Sequence, residues 1–129
     1  MVYRQEVLEK VVKPWAQGHF NDRHWVFQQD NAPAHRAKDT QAWIMNQFPA
    51  SIAASEWPPY SCDLNPMDYS VWSILEQKVC SIKHSNIESL KQHLEEEWAA
   101  IPTDTLRKIV DDFPRRLVAC VKAKGGHFE

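Results

Sequence analysis

A chain of 129 residues, 43 % of them hydrophobic, is long enough for one modest core and too short for two ordinary domains. No run approaches the roughly 18 apolar residues of a spanning helix, and Arg4, Glu6, Glu9, Lys10 and Lys13 interrupt the region where a secretory signal would be apolar, so a soluble intracellular protein without a membrane partner is expected. The 15 Lys and Arg against 17 Asp and Glu, a net charge of -2, exclude a small module held to nucleic acid by net charge alone, and three cysteines without CxxC spacing exclude a disulfide scaffold or Cys-rich zinc site.

Tyr3 to Ala16 places Val7, Leu8, Val11, Val12 and Trp15 at three- and four-residue steps, which predicts an amphipathic helix, broken by Gly18 with Asn21 and Asp22. His24 to Gln29 is aromatic and β-branched and reads as a strand covered on both faces, with Asp30 at its C-terminal end. Asn31 and Pro33 then open a helix from about His35 to Phe48, stopped by Pro49. Ser51 to Ala54 reads as a short strand leading into Trp57-Pro-Pro-Tyr60.

Asn65 is the candidate N-cap of a helix running from Met67 to Cys80, with Pro66 at N1 and Asp68 at N3. Ser85-Asn-Ile-Glu88 resembles a capping box for the next helix, which ends before Pro102. Thr103 caps another, and Pro114 either kinks it or begins a last helix; Gly125-Gly126 ends the regular structure. Trp15, Trp43, Trp72 and Trp98 fall in these helices and are read as core, Trp57 as lining the site. The local charge is +1 over residues 1–29, -5 over 30–100 and +2 over 101–129, an acidic middle between mildly basic ends.

Two constellations carry chemistry. In Gln28-Gln-Asp-Asn-Ala-Pro-Ala-His35 a strand delivers Asp30 into a turn before a helix, where a carboxylate is held and still reaches substrate. Carboxylate oxygens suit Mg²⁺ or Mn²⁺, although Asp30 could instead brace the turn. In Trp57 to Tyr69, Asp68 sits on the first turn of a helix while Asp63 lies in the preceding loop; Asp68 reads either as a partner of the Asn65 cap or as a second acid facing Asp30, and Asp63 as a turn former or ligand. Arg107, Lys108, Arg115, Arg116, Lys122 and Lys124 are the best basic set for DNA backbone contacts, against a reading as scattered solubilising charge.

The stretches QQDNAPAHRAKDTQAWI and WPPYSCDLNPMDYSVW, with the tail FPRRLVACVKAKGGHFE, resemble the catalytic domain of Tc1/mariner-type DNA transposases, on the mariner side. The resemblance implies an α/β, partial ribonuclease-H-like (retroviral-integrase-like) fold with a helical C-terminal half. It implies metal-dependent cleavage of DNA at transposon ends and strand transfer, with three carboxylates and Mg²⁺ or Mn²⁺. Asp30 matches the second carboxylate and Asp68 the third, an aspartate as in mariner elements; 37 residues separate them. Asn31, His35, Asp63, Asn65, Pro66 and Tyr69 match positions that shape the pocket. In a eukaryotic host the family works in the nucleus.

Only Glu6, Glu9 and Asp22 precede Asp30, and none stands where the first catalytic aspartate of an earlier strand belongs. Residues 1–129 therefore resemble the C-terminal part of a transposase catalytic domain, lacking the N-terminal DNA-binding region and the first catalytic strands. Little or no metal binding or activity is expected of it alone, and a homodimer through an exposed strand edge is as much expected as a monomer. The alternative is a non-enzymatic DNA-binding or protein-interaction module derived from a transposase.

Overall fold

The computed structural model describes residues 2–124 and 126–128, so Gly125 of the expected chain-ending pair lies outside the described residues. The chain divides into two compact units, Met1–Ser61 and Cys62–Glu129.

The first unit opens with a π-helical segment, Tyr3–Val12, that passes directly into helix α1, Lys13–Phe20. The wide winding ends at Val12, and Pro14, which has no N–H to leave unpaired, stands in the first turn of α1. Of the Gly18, Asn21 and Asp22 expected to break the helix, Gly18 stays within it. The chain leaves it at Asn21, which takes a positive φ of 51°, a conformation that asparagine tolerates better than most residues.

Residues 24–30, whose composition reads as a strand, form none. The Phe27 N–H donates to the Ala50 carbonyl at 2.9 Å and the Ile52 N–H to the Phe27 carbonyl at 3.0 Å, one isolated parallel bridge between Phe27 and Ser51. A ladder needs repeated bonds along both chains, and the described residues supply only this pair. The described fold is thus all-helical, which corrects the α/β, ribonuclease-H-like expectation for this chain.

Helix α2, Lys38–Gln47, starts three residues later than its sequence signals suggest. The Ala32 N–H bonds the Asp30 carboxylate at 3.0 Å, the His35 and Arg36 N–H groups bond the Ala32 carbonyl, and Gln29 and Gln41 side chains occupy the His35 carbonyl. These bonds hold residues 30–36 as a turn, in competition with the helix. The core of this unit is Leu8, Ile44 and Phe48, flanked by Tyr3, Val12, Trp25, Phe27 and Trp43. Phe48 is its hub, with ring centroids of Trp25, Phe27 and Trp43 at 4.9, 5.0 and 5.3 Å.

The second unit begins with a 3₁₀ turn, Cys62–Leu64, and a π-helical turn, Met67–Val71, continued by α3, Trp72–Val79. Val71, Leu75 and Val79 recur every four residues and are all buried. Helix α4, Ile87–Ala99, is capped by Asn86, whose side chain accepts from the Ser89 N–H at 2.8 Å, one residue beyond the expected Ser85. Helix α5, Thr103–Asp111, includes Thr103 as its first residue after Pro102, and Pro114 lies at the start of a separate helix α6, Phe113–Lys122. Val71, Leu75, Ile101 and Ile109 form the core here, with Met67, Tyr69, Ile74 and Leu106 against it.

Trp43 joins a core and Trp57 is buried, but Trp15, Trp72 and Trp98 are about half exposed, which corrects their assignment to the core. The indole of Trp15 instead stacks on the His19 ring at 5.0 Å. No helix among the described residues is long and apolar enough to cross a membrane.

Candidate active site

Asp30 sits just before the turn over residues 33–35, with its side chain 45 % exposed. One of its oxygens, Oδ1, accepts from the Ala32 N–H at 3.0 Å and pairs with His35 Nδ1 at 2.5 Å. A carboxylate only accepts, so the Nδ1 facing it carries the proton. The second oxygen has no protein partner among the described residues.

His35 is itself held on three sides. Its carbonyl accepts from Gln41 Nε2 at 2.9 Å and Gln29 Nε2 at 3.3 Å, and the Tyr3 ring packs on its imidazole with centroids 4.3 Å apart. The Tyr3 hydroxyl donates to Gln29 Oε1 at 2.8 Å, closing the circuit. Tyr3, Gln29 and Gln41 were not singled out by motif reasoning. A tyrosine opening an amphipathic stretch reads as packing, and its distance in sequence from Asp30 conceals the contact.

Burial pushes the Tyr3 phenol from 10.0 up to about 12, and the negative charge of Asp30 acts in the same direction. Between these values the unfolded chain releases the phenol proton while the folded chain retains it. Stability therefore falls as pH rises through that window. Thermal unfolding of the wild type should lose more between pH 10 and 12 than that of Tyr3→Phe, and parallel pH profiles would contradict the burial of this hydroxyl.

Asn31 does not cap a helix. Its Nδ2 donates to the Trp57 carbonyl at 2.9 Å, linking the turn after Asp30 to the Trp-Pro-Pro segment, while its buried Oδ1 has no partner among the described residues.

In the second unit, Asp68 is exposed on the first turn of its helix. Asn65 serves the start of that helix as expected: its Oδ1 accepts from the Met67 N–H at 3.3 Å and its Nδ2 donates to Asp68 Oδ2 at 2.9 Å. The other Asp68 oxygen has no protein partner among the described residues. Asp63 contributes its backbone, since Arg116 donates to the Asp63 carbonyl at 3.0 Å. The guanidinium of Arg116 also lies 3.9 Å above the Tyr69 ring, and the Tyr69 hydroxyl donates to the Ile109 carbonyl at 2.5 Å.

The basic set is divided by its partners. Arg115 and Arg116 both bond Asp112, whose carboxyl is held below its usual value first by the Arg115 hydrogen bond. Arg116, with a side chain 14 % exposed, braces this unit, and Arg107 pairs with Asp104 at 3.1 Å. Lys108 lines an open groove of about 550 Å³ with Ser70, Ser73, Gln77 and Thr105, whereas Lys122 and Lys124 lie at the end of α6 and just beyond it.

Hard divalent cations prefer the oxygen donors that Asp30 and Asp68 leave open, so the donor type fits. The number falls short: among the described residues no group of three or more His, Cys, Asp or Glu is placed to hold a metal ion.

Asp30 lies in the QDN motif of the first unit and Asp68 in the NPMD helix start of the second, and each motif belongs to a chain that matches one family of known proteins. The family described as DDE superfamily endonuclease matches residues 3–91, and the chain belongs to that family, in its Tc1/mariner transposase group. Its sequence is 34 % identical over 121 residues to the Tc1 transposase of Caenorhabditis elegans and to the Tcb1 transposase of Caenorhabditis briggsae. Each match covers 94 % of this chain and 42 % of the relative, so the chain spans about two-fifths of their length. The Mos1 mariner transposase of Drosophila mauritiana is 28 % identical over 106 residues, covering 81 % of this chain and 29 % of Mos1. In fold, the crystal structure of the Mos1 catalytic domain aligns with a TM-score of 0.79 at 24 % identity, covering 98 % of this chain and 62 % of that one. The Mos1 paired-end complex with Mn aligns at 0.84, covering 98 % and 37 %, and the Mos1 catalytic domain is also known with Mg.

Proposed function

We propose that this chain supplies Asp30 and Asp68 as the second and third carboxylates of a site that cuts DNA at transposon ends and joins the released 3′-hydroxyl to target DNA. The observation that carries this reading is that each aspartate, at its family motif position, is fixed through one oxygen and keeps the other open. Residues 1–129 are read as the C-terminal part of the catalytic region, with the first carboxylate supplied from outside this chain. Mg²⁺ or Mn²⁺, when bound, would stabilise the negative charge that builds on the phosphate and activate the attacking oxygen.

The protein's own contribution is positioning. His35 and the Ala32 N–H fix the Asp30 carboxylate from one side, and Asn65 fixes Asp68 against the first turn of its helix. Asn31 keeps the Trp57 carbonyl beside the Asp30 turn. Tyr69 and Asp63 join the helix start to α5 and α6 through Ile109 and Arg116. The DNA backbone is contacted by Lys108, Lys122 and Lys124 with Arg107 and the α6 arginines, in a nucleus when the element is eukaryotic. A second copy of the chain joins it in a paired assembly of two transposon ends.

The test compares the 129-residue protein with a longer form carrying the upstream catalytic segment on one labelled transposon-end duplex. The short form should bind Mn²⁺ weakly and leave the duplex intact, whereas the longer form cleaves it in a metal-dependent manner. Cleavage by the repurified short form would overturn the two-of-three reading. If neither form cleaves, the non-enzymatic interaction module replaces it.

DNA binding has its own readout. Lys108→Ala should weaken binding about equally for all sequences and reduce the slope of log affinity against log salt by about 1, the signature of one lost phosphate contact. An unchanged slope removes Lys108 from the DNA surface.

A further inference from the structure

We propose that Tyr3 is a positioning residue for Asp30, acting through His35 and Gln29; this rests on the reading of Asp30 as a site carboxylate. Three observations converge on it. The Tyr3 ring lies 4.3 Å from the His35 imidazole, His35 Nδ1 meets Asp30 Oδ1, and the Tyr3 hydroxyl bonds Gln29, the residue directly before Asp30.

The arrangement is specific in what it fixes. The backbone of His35 is already held by Gln29 and Gln41 at its carbonyl, so the freedom left to the residue is rotation of its ring. The Tyr3 face restricts that rotation. With the ring fixed, Nδ1 points at Oδ1 and the carboxylate plane is set, which leaves Oδ2 as the oxygen available to a cation. Without Tyr3 the ring can turn away, and Asp30 retains only the Ala32 N–H. Groups that orient a metal-binding side chain from behind commonly alter metal affinity by 10- to 100-fold. The first turn of the N-terminal helix is thereby joined to the acid, although 26 residues intervene between Tyr3 and Asp30.

The experiment uses the 129-residue chain uniformly labelled with ¹⁵N. Two-bond proton–nitrogen spectra at one fixed neutral pH identify which His35 nitrogen carries the proton, and Mn²⁺-induced broadening of the Ala32 amide reports metal near Asp30 even when affinity is low. The wild type should show a protonated, hydrogen-bonded Nδ1. Asp30→Asn should shift that resonance. Tyr3→Leu, which removes both ring and hydroxyl, should also shift it and raise the Mn²⁺ concentration for half-maximal broadening by roughly tenfold. Tyr3→Phe keeps the ring and should change both readouts in the same direction by less, which preserves the test if Tyr3→Leu fails to fold.

A His35 pattern in Tyr3→Leu identical to wild type overturns the proposal. So does a shifted His35 pattern with unaltered broadening in Tyr3→Leu while Asp30→Asn abolishes the broadening, since Tyr3 would then support the fold alone. If Asp30→Asn leaves the broadening unchanged, the metal assignment of Asp30 is what fails, and the His35 pattern still decides whether Tyr3 positions the carboxylate.

Discussion

In the longer form proposed to cleave, Asp30→Ala and Asp68→Ala should each lower cleavage of the labelled duplex by more than about a hundredfold, with little effect on salt-dependent DNA binding. The size follows from the chemistry: misplacing a reacting group by about 1 Å already costs about a hundredfold, and removing a carboxylate removes the anchor outright. Folding should survive, because the Asp30 side chain is 45 % exposed and Asp68 is exposed on the first turn of its helix. Asp30→Asn refines the result, since it retains an oxygen for the Ala32 N–H but loses the charge. Full cleavage by Asp30→Asn would remove Asp30 from the metal site. Equal loss of cleavage and of DNA binding in both alanine variants would point to unfolding, which circular dichroism of the same samples would reveal.

The second large effect is on stability. Phe48→Ala should destabilise the 129-residue chain by about 3–5 kcal/mol, the usual cost of deleting a buried aromatic ring. Phe48 is 6 % exposed and is met by three aromatic rings, so the void cannot close by the shift of one flexible neighbour. Val118→Ala on α6, where Val118 is 54 % exposed, should stay within about 0.5 kcal/mol. Urea unfolding of the two variants checks both values. A Phe48→Ala loss below about 1 kcal/mol would mean that the aromatic cluster does not hold the first unit together.

Much of the helical pattern was legible in the sequence because it rests on local rules. The four-residue stripe of Val71, Leu75 and Val79 is buried as its spacing demands, and Asn65 engages the first turn of the helix that carries Asp68. The absence of a sheet among the described residues was not legible. His24 to Gln29 has the composition of a covered strand, yet strands exist only through partners, and the described residues give Phe27 one bridge and no ladder. Local signals also misplaced α2, because side-chain bonds to the Ala32 N–H and the His35 carbonyl hold a turn that propensity does not foresee. Asp30 and His35 were recognisable from their motif. Tyr3 was not, because its contact with His35 is tertiary and no spacing rule connects the two. The half-exposed Trp15, Trp72 and Trp98 show the same limit: helical spacing says which residues share a face, not whether that face is covered.

Arg116 carries a consequence of a different kind. It holds the Asp63 carbonyl, the Asp112 carboxylate and the face of Tyr69 at once, so the turn before Asp68 and the start of α6 share one guanidinium. If α6 meets DNA as proposed, a phosphate that drew the guanidinium off the Asp63 carbonyl would loosen the turn before Asp68. In this unit Arg116 is a competitor for two tasks, whereas Lys108 can meet a phosphate in its groove without loosening the helix that bears the acid.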